Sequence, residues 1–161
     1  MSTHRTSRNY ALVQTVLFCA FAAAYFLDVG PRLFPPGGMR GTIGAVLCMA
    51  GLLLMLSAFG SIGRAIQIAP EPKPGAQLVT KGVYRRLRHP IYTAVVILLV
   101  GLFLRKPTAL TGIGAAVVIV FLVAKVRFEE ELLLARYPNY TDYKDRTWGV
   151  LPWPRRSPKI R

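Results

Sequence analysis

Residues 88–130 read RHPIYTAVVILLVGLFLRKPTALTGIGAAVVIVFLVAKVRFEE, and this stretch decides the fold. It contains two apolar blocks, 91–104 and 110–126, separated by the charged, proline-containing turn 105–107. An α-helix rises about 1.5 Å per residue, so the first block would extend about 21 Å against a hydrocarbon core of about 30 Å. The pattern therefore predicts two membrane helices joined by a tight turn, of which the first is short.

Two further apolar blocks precede this stretch. Residues 10–27 are interrupted by the amide side chain of Gln14, and residues 41–62 are rich in glycine, which lets membrane helices approach closely. No signal-peptide cleavage pattern follows the first block, so we expect it to be a retained anchor. The sequence predicts one all-α integral membrane domain over 1–161, with about four transmembrane helices, a cofactor-binding loop and a C-terminal tail.

The charge distribution predicts the orientation of these helices. The net charge of +14 is compatible with nucleic acid, an anionic membrane face or an anionic ligand. In so apolar a chain it favours membrane lipids, and we expect no nucleic-acid partner. With four spans, 17 of the 21 Lys and Arg residues fall on one side: 16 in the N-terminal segment, the 63–89 loop and the tail, and Lys125 near the end of the fourth block. The positive-inside rule then predicts that both termini are cytoplasmic.

The first candidate site is Arg88-His89-Pro90-Ile91-Tyr92, where the third block begins. Proline needs no N–H partner at the first helical position, so Pro90 is predicted to begin the helix. The unpaired N–H groups, the positive end of the helix dipole and Arg88 would suit a carboxylate or phosphate. His89 and Tyr92 would line the same pocket. The alternative is a basic membrane-border segment with His89 as a cap and Tyr92 as an interfacial aromatic residue.

The second candidate site lies at the end of the fourth block. Three adjacent acids, 129–131, follow Lys125 and Arg127 in a chain that has only seven acidic residues. Carboxylates beside an apolar wall would suit a cationic group of a ligand. The alternative is a helix that continues into water, with Lys125 and Glu129 as an i,i+4 pair. Residues 136–143 are predicted to form an aromatic-rich helix or cover on the membrane face.

Metal and disulfide chemistry are not expected. The chain has two histidines, His4 and His89, and its two cysteines, Cys19 and Cys48, lie inside apolar blocks. It contains no P-loop and no glycine-rich dinucleotide-binding motif. The two candidate sites together describe a ligand with an anionic end, a planar body and a positive centre.

Three motifs occur in a characteristic order along the second half of the chain. They are LVTKGVYRRLRHPIY at 78–92, Glu129-Glu130 followed by Leu133, and the pattern Tyr-Pro-x-Tyr-x-x-Tyr at 137–143. The set resembles the isoprenylcysteine carboxyl methyltransferase family, whose superfamily of membrane methyltransferases also includes phospholipid N-methyltransferases. The resemblance covers about residues 77–152.

The resemblance implies a membrane-embedded site for S-adenosylmethionine. It carries the cofactor contacts onto Gln77, Leu78, Val79, Tyr84, His89, Pro90, Ile91, Tyr92, Glu129 and Glu130. To these we add Arg88 from the charge argument above. Glu130 would hold the amino group of the methionine moiety or the ribose hydroxyls. A basic residue before the acids, either Lys125 or Arg127, would face the methyl acceptor.

The resulting hypothesis is a methyltransferase of the bacterial inner membrane that uses S-adenosylmethionine. Its acceptor would be lipid-like or a small hydrophobic molecule, such as an isoprenylcysteine-type carboxylate or a phospholipid amine. One alternative is a non-catalytic membrane module that binds anionic lipid or a partner. Another is a reductase similar to sterol reductases, which share an arginine-histidine turn and use NADPH. The glycine-rich second block would also permit an oligomer.

Overall fold

The computed structural model describes residues 2–27, 30–35, 37–62 and 78–150. These residues form helices joined by short connections. The α-helices are α1 (Ser2–Phe26), α2 (Gly38–Ile62), α3 (Pro90–Arg105), α4 (Ala109–Arg136) and α5 (Tyr140–Arg146), and a 3₁₀ turn at Gly82–Arg85 precedes α3. The predicted all-α fold class is confirmed.

Three of these helices are long and apolar enough to cross a membrane. The spans are Thr6–Phe26, Gly38–Ile62 and Ala109–Arg136, with 21, 25 and 28 residues. Helix α3 is equally apolar but has 16 residues, as the short block at 91–104 led us to expect. Many large apolar side chains on α1, α2 and α4 are exposed, which suits helices that contact lipid. The chain is therefore an integral membrane protein.

The ends of α3 and α4 determine where the polar residues lie. Pro90 begins α3, which confirms the predicted helix start. Thr108 caps α4 and exchanges hydrogen bonds with Thr111 in a capping box. Helix α4 continues ten residues beyond the apolar block that ended at 126, because Glu, Leu, Ala and Arg in that extension are strong helix formers. This continuation carries the acidic residues on a regular helix.

Small residues bring α2 and α3 into close contact. A Cβ atom on Gly44 would lie 2.7 Å from the carbonyl oxygen of Gly101, and one on Gly101 would lie 2.8 Å from that of Gly44. A Cβ on Gly51 would meet Leu98 Cγ at 2.8 Å. Only glycine fits at these positions without a shift of the helices. The α2–α3 pair is therefore tied by backbone proximity.

Helix α1 lies against α4 on the other side of the bundle. Phe21 of α1 is buried in a core cluster with Leu99 of α3 and three residues of α4. The α4 residues are Ala115, Val118 and Leu122. At the end of the bundle opposite the acids, Lys106 donates to the carbonyl oxygen of Tyr25 at 3.1 Å. Helix α4 thus packs against both α1 and α3, and its C-terminal part carries the acidic residues.

Candidate active site

His89 lies between two carboxylates of α4. Its Nδ1 is 3.8 Å from Glu129 Oε2, and its Nε2 is 3.4 Å from Glu130 Oε1. The side chain is buried, with 7% of the residue exposed. Because Pro90 opens α3, His89 occupies the cap position immediately before the helix. The start of α3 and the acidic end of α4 therefore meet at one point, although 40 residues separate them.

Tyr92 makes a short side-chain hydrogen bond in this cluster. Its hydroxyl donates to Glu129 Oε1 at 2.5 Å. Its ring is stacked on His89, with centroids 5.7 Å apart and an interplanar angle of 14°. The spacing of three residues across the helix start places both rings on the same side of α3. The structure therefore brings His89 and Tyr92 together; that they line one ligand site stays a prediction.

Arg88 has partners that the sequence did not indicate. Its Nε donates to Glu130 Oε1 at 2.8 Å, and one terminal nitrogen donates to the carbonyl oxygens of Lys144 at 2.7 Å and Thr147 at 2.5 Å. The backbone N–H of Arg88 also donates to the carbonyl oxygen of Trp148 at 2.8 Å. Three of its hydrogen bonds thus go to residues in and after α5. We interpret Arg88 as the residue that fixes α5 to the acids; direct contact with a ligand stays a prediction.

Lys144 of α5 completes the surroundings of Glu130. Its Nζ lies 2.7 Å from Glu130 Oε2, and 38% of its side chain is exposed. Glu130 is therefore in contact with Arg88, His89 and Lys144 at once. Sequence reasoning missed Lys144, because nothing in the spacing of 130 and 144 shows that α5 folds back onto α4.

Three tyrosines cover the cluster from the loop and from α5. Tyr143 donates its hydroxyl to the carbonyl oxygen of Tyr84 at 2.7 Å, and Tyr140 is fully buried. Burial, with a further contribution from the Glu129 carboxylate, raises the pKa of Tyr84 to about 12. Burial likewise raises the pKa of Tyr143 to about 12. Both groups are therefore neutral phenols at physiological pH.

Lys125 and Arg127, the two basic residues that could accompany the acids, lie in different surroundings. Lys125 is buried, with 1% exposed; its Nζ lies 3.8 Å from Glu129 Oε1 and 5.4 Å from the centre of the Tyr92 ring. Its Nζ also donates to Oε1 of Gln14 in α1 at 2.5 Å. Arg127 is exposed. Lys125 is thus the one of the two that the structure shows beside Glu129; which of them faces the methyl acceptor stays a prediction.

The remaining predicted contacts lie around the start of α3. Pro90 is buried, and Ile91 is half-buried in the first turn. Leu78 and Val79 are half-buried in the segment that leads into the 3₁₀ turn. Gln77 lies outside the described residues. The role of each in binding a cofactor stays a prediction.

Two buried polar atoms in this region make no hydrogen bond to any residue that the structure describes. They are Nε2 of His89, whose 3.4 Å approach to Glu130 lacks hydrogen-bond geometry, and the hydroxyl of Tyr140. Buried polar groups normally have partners, so both atoms are suited to a polar ligand.

Within the residues that the structure describes, no group of three or more His, Cys, Asp and Glu side chains is arranged to hold a metal ion.

Comparison with known proteins gives a family match across the centre of the chain. The model of the phospholipid methyltransferase family matches residues 39–140, which include α2, α3 and α4. This agrees with the resemblance drawn from the motifs. It also extends that resemblance to α2, which carries no motif that sequence reasoning identified.

Two curated proteins are similar to the chain. A nickel-cobalt-cadmium resistance protein of Alcaligenes xylosoxydans xylosoxydans is 30% identical over 112 residues, covering 68% of this chain and 52% of the relative. A cobalt-zinc-cadmium resistance protein of Cupriavidus metallidurans is 28% identical over 123 residues, covering 74% and 56%. The chain spans about half the length of these curated relatives.

Proposed function

Because this chain belongs to the phospholipid methyltransferase family, we propose that it transfers a methyl group from S-adenosylmethionine to a lipid-like or small hydrophobic acceptor. The observation that carries the proposal is the position of His89 between Glu129 and Glu130. This contact joins the two sequence motifs in one buried polar cluster at the end of apolar helices. It is the arrangement that a cofactor with charged and planar parts would require.

The residues present fit such a cofactor. Nε2 of His89 and the hydroxyl of Tyr140, which are not hydrogen-bonded to any described residue, would bind polar atoms of the nucleoside. Glu130 would bind the amino group of the methionine moiety in place of the partly exposed Lys144. Tyr84 and Tyr143, held together by a hydrogen bond, would limit access of water. These assignments rest on the chemistry of the side chains and on their burial.

When bound, S-adenosylmethionine supplies a methyl group whose bond to the positive sulfur breaks as a lone pair of the acceptor bonds to the carbon. The protein's contribution to such a displacement is alignment and a suitable electrostatic field. Glu129 and Glu130 place negative charge beside the site, and Lys125 would bind an anionic part of the acceptor. A carboxylate acceptor would need no base, whereas an amine would also lose a proton to water.

The acceptor would approach from the lipid. The cluster lies at the start of α3 and near the end of α4, and the part of α4 that precedes it exposes large apolar side chains such as Ile113 and Val120. We propose that this end faces the cytoplasm, because the topology predicted from the sequence puts most Lys and Arg residues on this side. A molecule with an apolar tail and a polar head group could then bring the head group to the acids while its tail stays in the bilayer.

The direct test is methyl transfer by the purified protein in vesicles of a total bacterial lipid extract. Radiolabelled S-adenosylmethionine should label a lipid-soluble product, and the chemistry of that product would identify the acceptor. A His89→Ala variant should lose the labelling, whereas Glu131→Ala should retain it, because Glu131 is exposed. Labelling that is absent from the parent protein, or equal in the His89→Ala variant, would contradict the proposal.

A further inference from the structure

Helix α1 contributes a polar side chain to the cluster, although it lies outside the residues 39–140 that match the family. Gln14 is the polar residue that interrupts the apolar block of α1. Its Oε1 accepts a hydrogen bond from Lys125 Nζ at 2.5 Å, across 111 positions of the chain. An uncompensated polar group is costly within the apolar part of a membrane, and this hydrogen bond gives both side chains a partner.

Aromatic contacts determine which side of α1 faces α4. The ring of Tyr10 is stacked on Phe128 with centroids 5.0 Å apart and an angle of 17°, and it lies 5.8 Å from Phe121. Farther along, Phe21 lies against Gly114, where a Cβ atom would be 3.2 Å from the ring. Gln14 lies between these two contacts on the same helix. Its approach to Lys125 is therefore fixed by packing on both sides.

The bond to Gln14 holds Lys125 at a distance from Glu129. Charge-assisted hydrogen bonds between an ammonium and a carboxylate are about 2.7–2.9 Å long, whereas Lys125 Nζ lies 3.8 Å from Glu129 Oε1. The two residues are four apart on one helix, a spacing at which a tighter pair forms readily. Glu129 instead accepts its short hydrogen bond from Tyr92. The Lys125 ammonium is thus 1.3 Å closer to the amide oxygen of Gln14 (2.5 Å) than to Glu129 Oε1 (3.8 Å).

We infer that Gln14 is a positioning residue for the ligand site: it keeps Lys125 from closing onto Glu129, so that this carboxylate stays available to the ligand. The inference rests on the proposed function, because it takes Glu129 to face the cofactor. It also gives α1 a role beyond anchoring, since Gln14 of α1 would determine where the Lys125 ammonium lies in a site built from α3 and α4.

The test is calorimetric titration of the purified protein in detergent with S-adenosylhomocysteine. Gln14→Leu removes the acceptor oxygen, so Lys125 should pair with Glu129 and the affinity should fall roughly tenfold, the size expected for a hydrogen bond to a charged group. Gln14→Glu keeps an oxygen at the same place and should stay within about threefold of the parent, less than half of that effect in free energy. Thr15→Val, on an exposed neighbour that bonds to the carbonyl oxygen of Ala11, should leave the affinity unchanged.

A second background distinguishes positioning from a general structural role. In a Lys125→Met protein no ammonium can close onto Glu129, so adding Gln14→Leu should cause no further loss of affinity. An equal loss from Gln14→Leu in both backgrounds, or a parental affinity in the Gln14→Leu single variant, would overturn the inference while leaving the proposed function intact. A parent protein without saturable binding would overturn both.

Discussion

The hydroxyl of Tyr92 lies 2.5 Å from Glu129 Oε1, and this hydrogen bond joins the first turn of α3 to a carboxylate 37 residues later. The same ring is stacked on His89, whose two nitrogens face Glu129 and Glu130. Tyr92 thus fixes the orientation of the histidine and supplies a donor to one acid. The contact makes the cluster a single unit, so a change at one member should affect the others.

Replacing Tyr92 with Phe should weaken the cluster without changing its shape. The buried carboxylate of Glu129 would lose its short hydrogen bond, and a lost partner of a buried charged group costs about 1–3 kcal/mol. Thermal unfolding in detergent should therefore occur at a lower temperature. Tyr25→Phe is the matched control, because Tyr25 lies near Lys106 at the opposite end of the bundle. Equal unfolding temperatures for the two variants would contradict this account.

Arg88→Lys should release α5 from the acids. A lysine cannot reproduce the fork that reaches Glu130 and the carbonyl oxygens of Lys144 and Thr147 together. We expect amide hydrogen exchange across α5 to increase at least about tenfold, the change that a loss of about 1.4 kcal/mol in local stability produces. Arg85→Lys is the control, because Arg85 is exposed in the 3₁₀ turn. Protection of α5 that is unchanged in Arg88→Lys would show that other contacts hold this helix.

Gly101→Ala should separate α2 from α3. The new Cβ would lie 2.8 Å from Gly44 O and from Cys48 Sγ, so the helices would have to move. Overpacking of this kind costs about 1–3 kcal/mol. Gly60→Ala in α2 has open space around the added atom and should be neutral or slightly stabilising. Denaturant unfolding of the two variants compares them directly, and equal stability would argue against close contact at this seam.

Tyr84 and Tyr143, which cover the cluster, should lose their phenolic protons at a higher pH than an exposed tyrosine does. Burial favours the neutral phenol of Tyr84 and Tyr143, whose pKa values are raised from 10 to about 12. Their contribution to stability is thus complete below pH 10 and is lost as the pH rises from 10 toward 12. Absorbance of tyrosinate against pH measures this, and Tyr143→Phe should remove one late-titrating group. Loss of a group that titrates at or below pH 10 would contradict the prediction.

The sequence was sufficient for the architecture and for the principal members of the cluster. Apolar blocks predicted the helices, proline predicted where α3 begins, and the ordered motifs pointed to His89, Tyr92 and the acids. The contacts of Lys144 and Gln14 could not be predicted, because they depend on how α5 and α1 lie against α4. Gln14 was visible as a polar residue in an apolar block, but its partner is 111 residues away. Likewise, the charge of Arg88 beside the start of α3 suggested anion binding. Its partners Glu130, Lys144 and Thr147 come from α4, α5 and the residue after α5, so they could be known only from the fold.

The central claim is that the start of α3 and the acidic end of α4 bind one ligand. Titration of the purified protein with S-adenosylhomocysteine tests it most directly when Glu130→Gln is compared with Glu131→Gln. Glu130 contacts His89, Arg88 and Lys144, whereas its neighbour Glu131 is exposed. We predict saturable binding that weakens at least about tenfold in Glu130→Gln, the size expected when a charged partner is lost, and is unchanged in Glu131→Gln. Absence of binding, or the same affinity in both variants, would contradict the account.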